Sequence, residues 1–250
     1  MLKRSSLFQI SNAFCALILV CTSFVLISAW SRPSQEQHKP KMEDKGKLPL
    51  ALYTAPEPSN PTERAIRNAR NKRYDKRNYK PFDQLPITRK ETGSMGGDYF
   101  SVTPVLPASE SDAIVKGEVV DAKGYVSNDK TGAYSEFSVR IIDVLKTDNN
   151  LSGDLIVVER EGATVQLPDG RTIRHVIGDL GMPRIGGEYV FFLRYYADGQ
   201  VYNVLDLYEL HDEKATRLDT RGLYLKYGET QESRFLNELR ADIAKRERKQ

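Results

Sequence analysis

Between Arg64 and Lys80 the chain carries eight basic side chains: Arg64, Arg67, Arg70, Lys72, Arg73, Lys76, Arg77 and Lys80. Asp75 is the single acid among them, and Tyr74, Tyr79 and Phe82 lie alongside. Such a run can recognise an anionic partner, whether lipid headgroups, an envelope polymer or nucleic acid. Two plainer uses compete with that one. A charge run is most often a solvated face, and this one could also dock on the acidic part of its own chain.

Other residues with chemistry to offer are sparse. Glu159 and Glu161 stand two apart in a strand-like run, so their side chains share a face, and Asp154 opens the same run. Paired carboxylates are the tool of glycoside hydrolysis. Two acids on one face are more commonly a solvated edge, and that is the expectation. Convergence of Glu159, Glu161 and His175 in the fold would favour a hydrolase instead. His175, in RTIRHV, is expected to point at solvent from a strand, and His211 to open a turn; His38 lies in a Pro-rich stretch. Asn128 and Asp129, in SNDKTG, offer oxygens to calcium without the full ligand spacing, and read as a hairpin turn. No HExxH, GxSxG, GxxxxGK or EF-hand loop occurs. The only cysteines, Cys15 and Cys21, leave everything after Trp30 without a disulfide, a thiol nucleophile or a cysteine metal site. No catalytic residue, metal ligand or cofactor is assigned.

The elements that hold these residues begin with an apolar run. Ala13 to Trp30 is 18 residues without a charge, behind a start carrying Lys3 and Arg4. That length is at the lower end of what spans a bilayer and exceeds the core of most cleavable signals. The expectation for residues 1–30 is a single-pass anchor, embedded through 13–30, with the rest of the chain outside the cytoplasm. Secretion after cleavage near Ser31 is the alternative.

Composition then changes twice. Residues 31–110 are rich in Pro, Lys, Arg, Ser and Asn and carry a net +5; residues 111–220 are rich in Val, Ile, Leu, Tyr and Phe and carry −7; residues 221–250 carry +3. The first of these has too little apolar surface to offset its chain entropy. It reads as a disordered basic tether, with one short helix over 61–74 marked by Asn60 as N-cap, Pro61 in the first turn and Glu63 as capping acid. The apolar face of that helix is only Ala65, Ile66 and Ala69, marginal in isolation.

Residues 111–220 read as seven or eight strands in hairpin grammar: 112–126, 133–146, 153–161, a hairpin closing at Asp169-Gly170, 187–196, 201–210 and a short edge in KATRLD. GEYVFFLRYY is apolar on both faces, as a central strand requires. The fold class is therefore mainly β, a small antiparallel OB-like barrel or sandwich. In TQESRFLNELRADIAKRERK, Phe235, Leu236, Leu239 and Ile243 fall on one side of a C-terminal amphipathic helix. Gly186-Gly187 before the central strand suggests a bulge or a close backbone approach.

The order SDAIVKGEVVDA, YSEFSVRIIDVLK, GDLIVV, GGEYVFFLR resembles the netrin/TIMP-like module, and exported bacterial proteins built on the same pattern. The resemblance covers Ser111 to Leu193 and implies an OB-type barrel. The cysteines that staple the animal modules, and the amino-terminal cysteine through which the inhibitors engage a protease metal, are absent, so protease inhibition is not implied. The functional expectation is a non-catalytic extracytoplasmic module binding a protein or an envelope polymer. An assembly protein acting through the basic run 64–80 and a cell-envelope hydrolase are the alternatives. Nucleic acid ranks last among partners, and the balance of signals leans away from an enzyme.

Overall fold

Strand pairing here follows the alternation of apolar side chains, and it recruits more of the chain than the composition break suggests. A computed structural model describes residues 48–86, 107–147, 151–178, 180–219 and 229–248. All fall within one compact unit, Pro40–Gln250. The anchor expected at 13–30 lies outside the described residues. Among those described, no helix is long and apolar enough to cross a membrane.

The fold is mainly β, in two sheets. The first strand, β1 (Leu50–Leu52), precedes helix α1 (Pro61–Lys72), and a 3-10 turn follows at Phe82–Gln84. Then come β2 (Ala113–Val126), β3 (Ala133–Lys146), β4 (Leu155–Glu161), β5 (Ala163–Gln166), β6 (Thr172–His175), β7 (Glu188–Tyr196), β8 (Val201–His211), β9 (Lys214–Arg217) and β10 (Thr230–Gln231). Helix α2 spans Glu232–Glu247. The smaller sheet is ordered β1-β5-β6, and the larger β10-β9-β8-β4-β3-β2-β7, with β7 also pairing β8. All pairings are antiparallel except β1 with β5 and β4 with β8.

The turns use the residues their backbone demands. The β5–β6 hairpin closes at Asp169-Gly170 with Gly170 at φ +84°. The β8–β9 hairpin places Asp212 and Glu213 both at positive φ, 50° and 59°, the two-residue turn whose twist matches its strands. The β2–β3 turn is locked by its own side chains. Ser127 Oγ accepts from Thr131 N and Gly132 N, while Asp129 Oδ1 accepts from Ser127 Oγ and Thr131 N.

β7 shows why one strand is apolar on both faces. Tyr189, Phe191 and Leu193 join Val115, Phe137, Val158 and Leu207 in one core. Val190 and Phe192, pointing the other way, meet Ile114, Tyr208 and the α2 residues Phe235, Leu239 and Ile243. Each such side chain contributes about 1.5–3 kcal/mol by leaving water. A third cluster gathers Ala51, Phe82, Val126, Ala133, Ala163, Val165 and Leu167.

That third cluster corrects the expectation of a free tether over the described part of 31–110. Ala51 and Phe82 are buried with strand residues, and β1 pairs in register with β5, Leu50 opposite Thr164. The expected helix is present, with Asn60 Oδ1 accepting from Thr62 N at 2.9 Å. Residues 48–86 therefore belong to the folded unit, and its edge is not at Ser111.

Candidate functional site

Helix α1 has no buried residue of its own. Its contact with the sheet is made by arginines at i, i+3 and i+6, which share a helix face. Arg67 forks onto Glu136, Nη1 to Oε1 at 2.5 Å and Nη2 to Oε2 at 3.1 Å, and also donates to Tyr134 Oη at 3.0 Å. Its guanidinium carbon lies 3.6 Å from the centre of the Tyr125 ring. Arg70 reaches Glu136 Oε1 at 3.0 Å and donates to the carbonyls of Gly199 and Gln200. Arg73, just past the helix, donates through Nε to Glu159 Oε1 at 2.9 Å and through Nη1 to Asp198 Oδ1 at 3.0 Å. Lys76 pairs with Glu161.

The acceptors come from neighbouring strands. Glu136 on β3 stands opposite Glu159 on β4, and Tyr134 opposite Glu161. Like charges placed directly opposite repel, so this face depends on the cations laid over it. Tyr74 completes the seam. Its ring stacks on Tyr134 at 4.3 Å with an 11° tilt, and its carbonyl presses on Gly132, where an added Cβ would lie 2.1 Å from the oxygen.

The two glutamates of β4 respond in opposite directions. Burial pushes Glu159 up to about 7 against the pull of Arg73, in keeping with its 0% exposure. Its Oε2 has no hydrogen-bond partner among the described residues. For Glu161, burial pushes up too, but His175 and Lys76 outweigh it and hold the carboxyl below the ordinary glutamate value. A second pair flanks the seam. Asp129 N donates to Asp75 Oδ1 at 3.0 Å. Burial and the neighbouring carboxylate raise Asp75, whereas Asp129 is lowered because Thr131 and Ser127 donate to it and outweigh its burial.

These positions revise several expectations. Glu159 is not a solvated edge residue; it is sealed under Arg73. His175 does not face solvent. It is 3% exposed, edge-on to Phe82, with Nε2 3.4 Å from Glu161 Oε1. Glu159, Glu161 and His175 thus do lie along one seam, but each acid is covered by a cation. His211 is exposed beside Asp212. Asp129 spends its oxygens within the turn and on Lys76 N, and Asn128 donates to Asn68 O, so neither is set to hold calcium. No group of three or more metal-ligating side chains occurs among the described residues.

Of the eight basic residues, Arg67, Arg70, Arg73 and Lys76 are spent on the chain's own acids. Lys72, Arg77 and Lys80 are exposed with no partner among the described residues. Arg64 is exposed and contacts Glu57 at 3.5 Å. A further buried set, Arg160 with Asp219 and Arg217 with Asp206, has no local signature in the sequence. Burial raises Asp206 to about 6 despite Arg217. No protein-family model, no curated protein and no solved structure matches this chain.

Proposed function

We propose that this protein is a non-catalytic binding module, held at the membrane through residues 13–30 with its β domain outside the cytoplasm, and that the partner is a protein or envelope polymer. The observation that carries the non-catalytic part is the consumption of charge along the α1 seam. The residues with the chemistry for catalysis, Glu136, Glu159, Glu161 and His175, are paired internally rather than turned toward an open site. The membrane assignment rests on the 18-residue uncharged run and its basic start; secretion after cleavage near Ser31 is its alternative.

The body of the module is read as an OB-type barrel of the netrin/TIMP-like kind. Support comes from a cycle of pairings, β2 with β3, β3 with β4, β4 with β8, β8 with β7 and β7 with β2, in which each strand has two neighbours. Folds of this kind host many functions, so the module's ligand is argued from its surfaces.

Two other readings each have one observation in their favour. Exposed Arg64, Lys72, Arg77 and Lys80 leave a reduced basic surface for an anionic partner. The split between Glu159 and Glu161, one raised and one lowered, is the pattern of an acid–base pair in a cell-envelope hydrolase. Capture from a solubilised envelope with the full chain separates the three. The binding-module reading expects a partner retained both by a variant with Arg64, Lys72, Arg77 and Lys80 changed to Gln and by Glu161→Gln. Loss with the first variant supports the basic surface. Turnover of envelope glycan that disappears in Glu161→Gln supports the hydrolase. Protease accessibility of residues 31–250 in intact spheroplasts tests the compartment, and protection there would overturn it.

A further inference from the structure

Helix α1 is held in an unusual way for a segment inside a folded unit. Ala65 on its surface is exposed, Ile66 and Ala69 are only half-buried, and no residue of the helix is buried. Docking is by guanidinium groups onto carboxylates and carbonyls, joined by Tyr134 Oη donating to Asn71 Oδ1 and Asn128 Nδ2 to Asn68 O, and another donor of the same shape can replace the guanidinium groups. The chain on either side is anchored differently. Before the helix, β1 is hydrogen-bonded to β5; after it, Tyr74 and Phe82 are buried. Thr54 to Glu57, leading into the helix, is exposed. The helix can therefore leave the sheet while its flanks stay.

The face it covers is strongly one-sided. Among the described residues, every cation that reaches Glu136 or Glu159 comes from α1 or the residue after it, and none from the sheet. Glu159 adds a buried oxygen, Oε2, with no donor among the described residues. A sheet that buries cross-strand carboxylates and supplies no counter-charge of its own costs stability unless something external neutralises them. We propose that α1 is a detachable strap and that the acidic, tyrosine-lined face beneath it is a binding surface for an arginine-bearing helix of a partner protein. This rests on the binding-module reading and names its partner's chemistry.

Arginine rather than lysine is the fitting cation. Glu136 accepts a two-pronged fork, Tyr125 accepts a stacked planar group, and the Gly199 and Gln200 carbonyls accept two donors from one guanidinium. An ammonium has neither the fork nor the plane. The strap itself records the spacing required, arginines at i, i+3 and i+6. In its docked state it competes with the partner, so the site is occupied until a better-matched or more concentrated helix displaces it.

Two measurements test this with the full chain. Native-state hydrogen exchange is followed at rising, sub-denaturing urea. At low urea the α1 amides are expected to exchange at least about tenfold faster than the β3 and β4 amides, which keep their protection. Exchange of α1 at one common rate with β3 and β4 at every urea concentration would overturn the strap. In the second, a labelled alanine-based helical peptide with arginines at i, i+3 and i+6 is titrated into the native chain and into Arg67→Gln/Arg70→Gln. Binding to the variant is expected to be at least about tenfold tighter than to the native chain, and to be lost when the peptide arginines become lysines. Equal binding of the arginine and lysine peptides, or none to a variant that retains its circular dichroism, would overturn the surface. Should the variant not fold, the exchange measurement decides. Failure here with envelope capture intact removes this surface and leaves the binding-module reading; success here with no envelope partner removes the envelope assignment and leaves the surface.

Discussion

Glu136 and Glu159 face each other directly across β3 and β4, and Arg73 seals the second of them completely from solvent. Two carboxylates so placed are an electrostatic liability that the strands alone do not relieve. Helix α1 and the residue that follows it relieve it with three arginines on one face. The stretch that carries the most charge in the sequence is thus the complement of two buried acids that face each other in the sheet.

Neighbouring glutamates of β4 should show opposite pH signatures. Glu159 is raised from 4.5 to about 7 on folding. The stability its proton uptake contributes is fully present below the ordinary value and is lost as pH rises to about 7. Glu159→Gln removes that slope, so the variant gains on the wild type by about 1–3 kcal/mol between about pH 4.5 and 7.5. Glu161 is lowered, so its contribution is present above the ordinary value and lost as pH falls through its folded pKa. Glu161→Gln should therefore lose stability at neutral pH and converge with the wild type in acid. Urea midpoints across the pH range check both, and parallel curves for the two variants would contradict the assignment.

Gly132→Ala should loosen the seam at Tyr74. The new methyl would lie 2.1 Å from the Tyr74 carbonyl oxygen, a contact with backbone that must shift. A loss of about 1–3 kcal/mol is expected, with Tyr74 moving off Tyr134. Tyrosine fluorescence and thermal unfolding would report it; an unchanged melting temperature would mean that the seam is not tight.

Residues 111–250 alone should melt well below 48–250. Deleting 48–86 removes β1, Tyr74 and Phe82 from buried positions and uncovers Glu136 and Glu159. Equal melting temperatures for the two fragments would restore a domain edge near Ser111.

Phe235→Ala should cost about 3–5 kcal/mol. Its ring is fully buried at 4.6 Å from that of Tyr208, with Phe192 and Leu239 in the same cluster. Denaturant unfolding of the full chain measures it, and a loss under about 1 kcal/mol would mean that α2 packs loosely.

Much of the architecture is legible because it follows from periodicity. Asp169-Gly170 marks its hairpin, the double-sided apolar run marks β7, and Phe235, Leu239 and Ile243 mark the buried side of α2. The site is legible only in its ingredients. Arg67, Arg70 and Arg73 and the acids Glu159 and Glu161 all stand out in the sequence. Their joining does not, because a strand's acids look solvated when the element that buries them lies far off along the chain, as Arg73 lies 86 residues from Glu159. One signal is available, the i, i+3, i+6 spacing of arginines on a helix with almost no apolar face. The expectations for His175 and Glu159 fail for the same reason. Alternation predicts which face a residue takes, not what later covers that face. The buried pairs of Arg160 and Arg217 leave no local pattern at all.

Helix α1 and the sheet are held together through charge pairs, among them Arg73–Glu159, and a double-mutant cycle measures that pair. Arg73→Met, Glu159→Gln and the double variant are unfolded with urea at about pH 8, where Glu159 is charged. Arg73→Met alone should lose about 3–5 kcal/mol, because it strands a buried carboxylate, and the double variant should recover most of it, giving a coupling of at least about 2 kcal/mol. Additivity of the two single changes within about 0.5 kcal/mol would contradict the account, since it would mean that Arg73 and Glu159 do not meet in the folded protein.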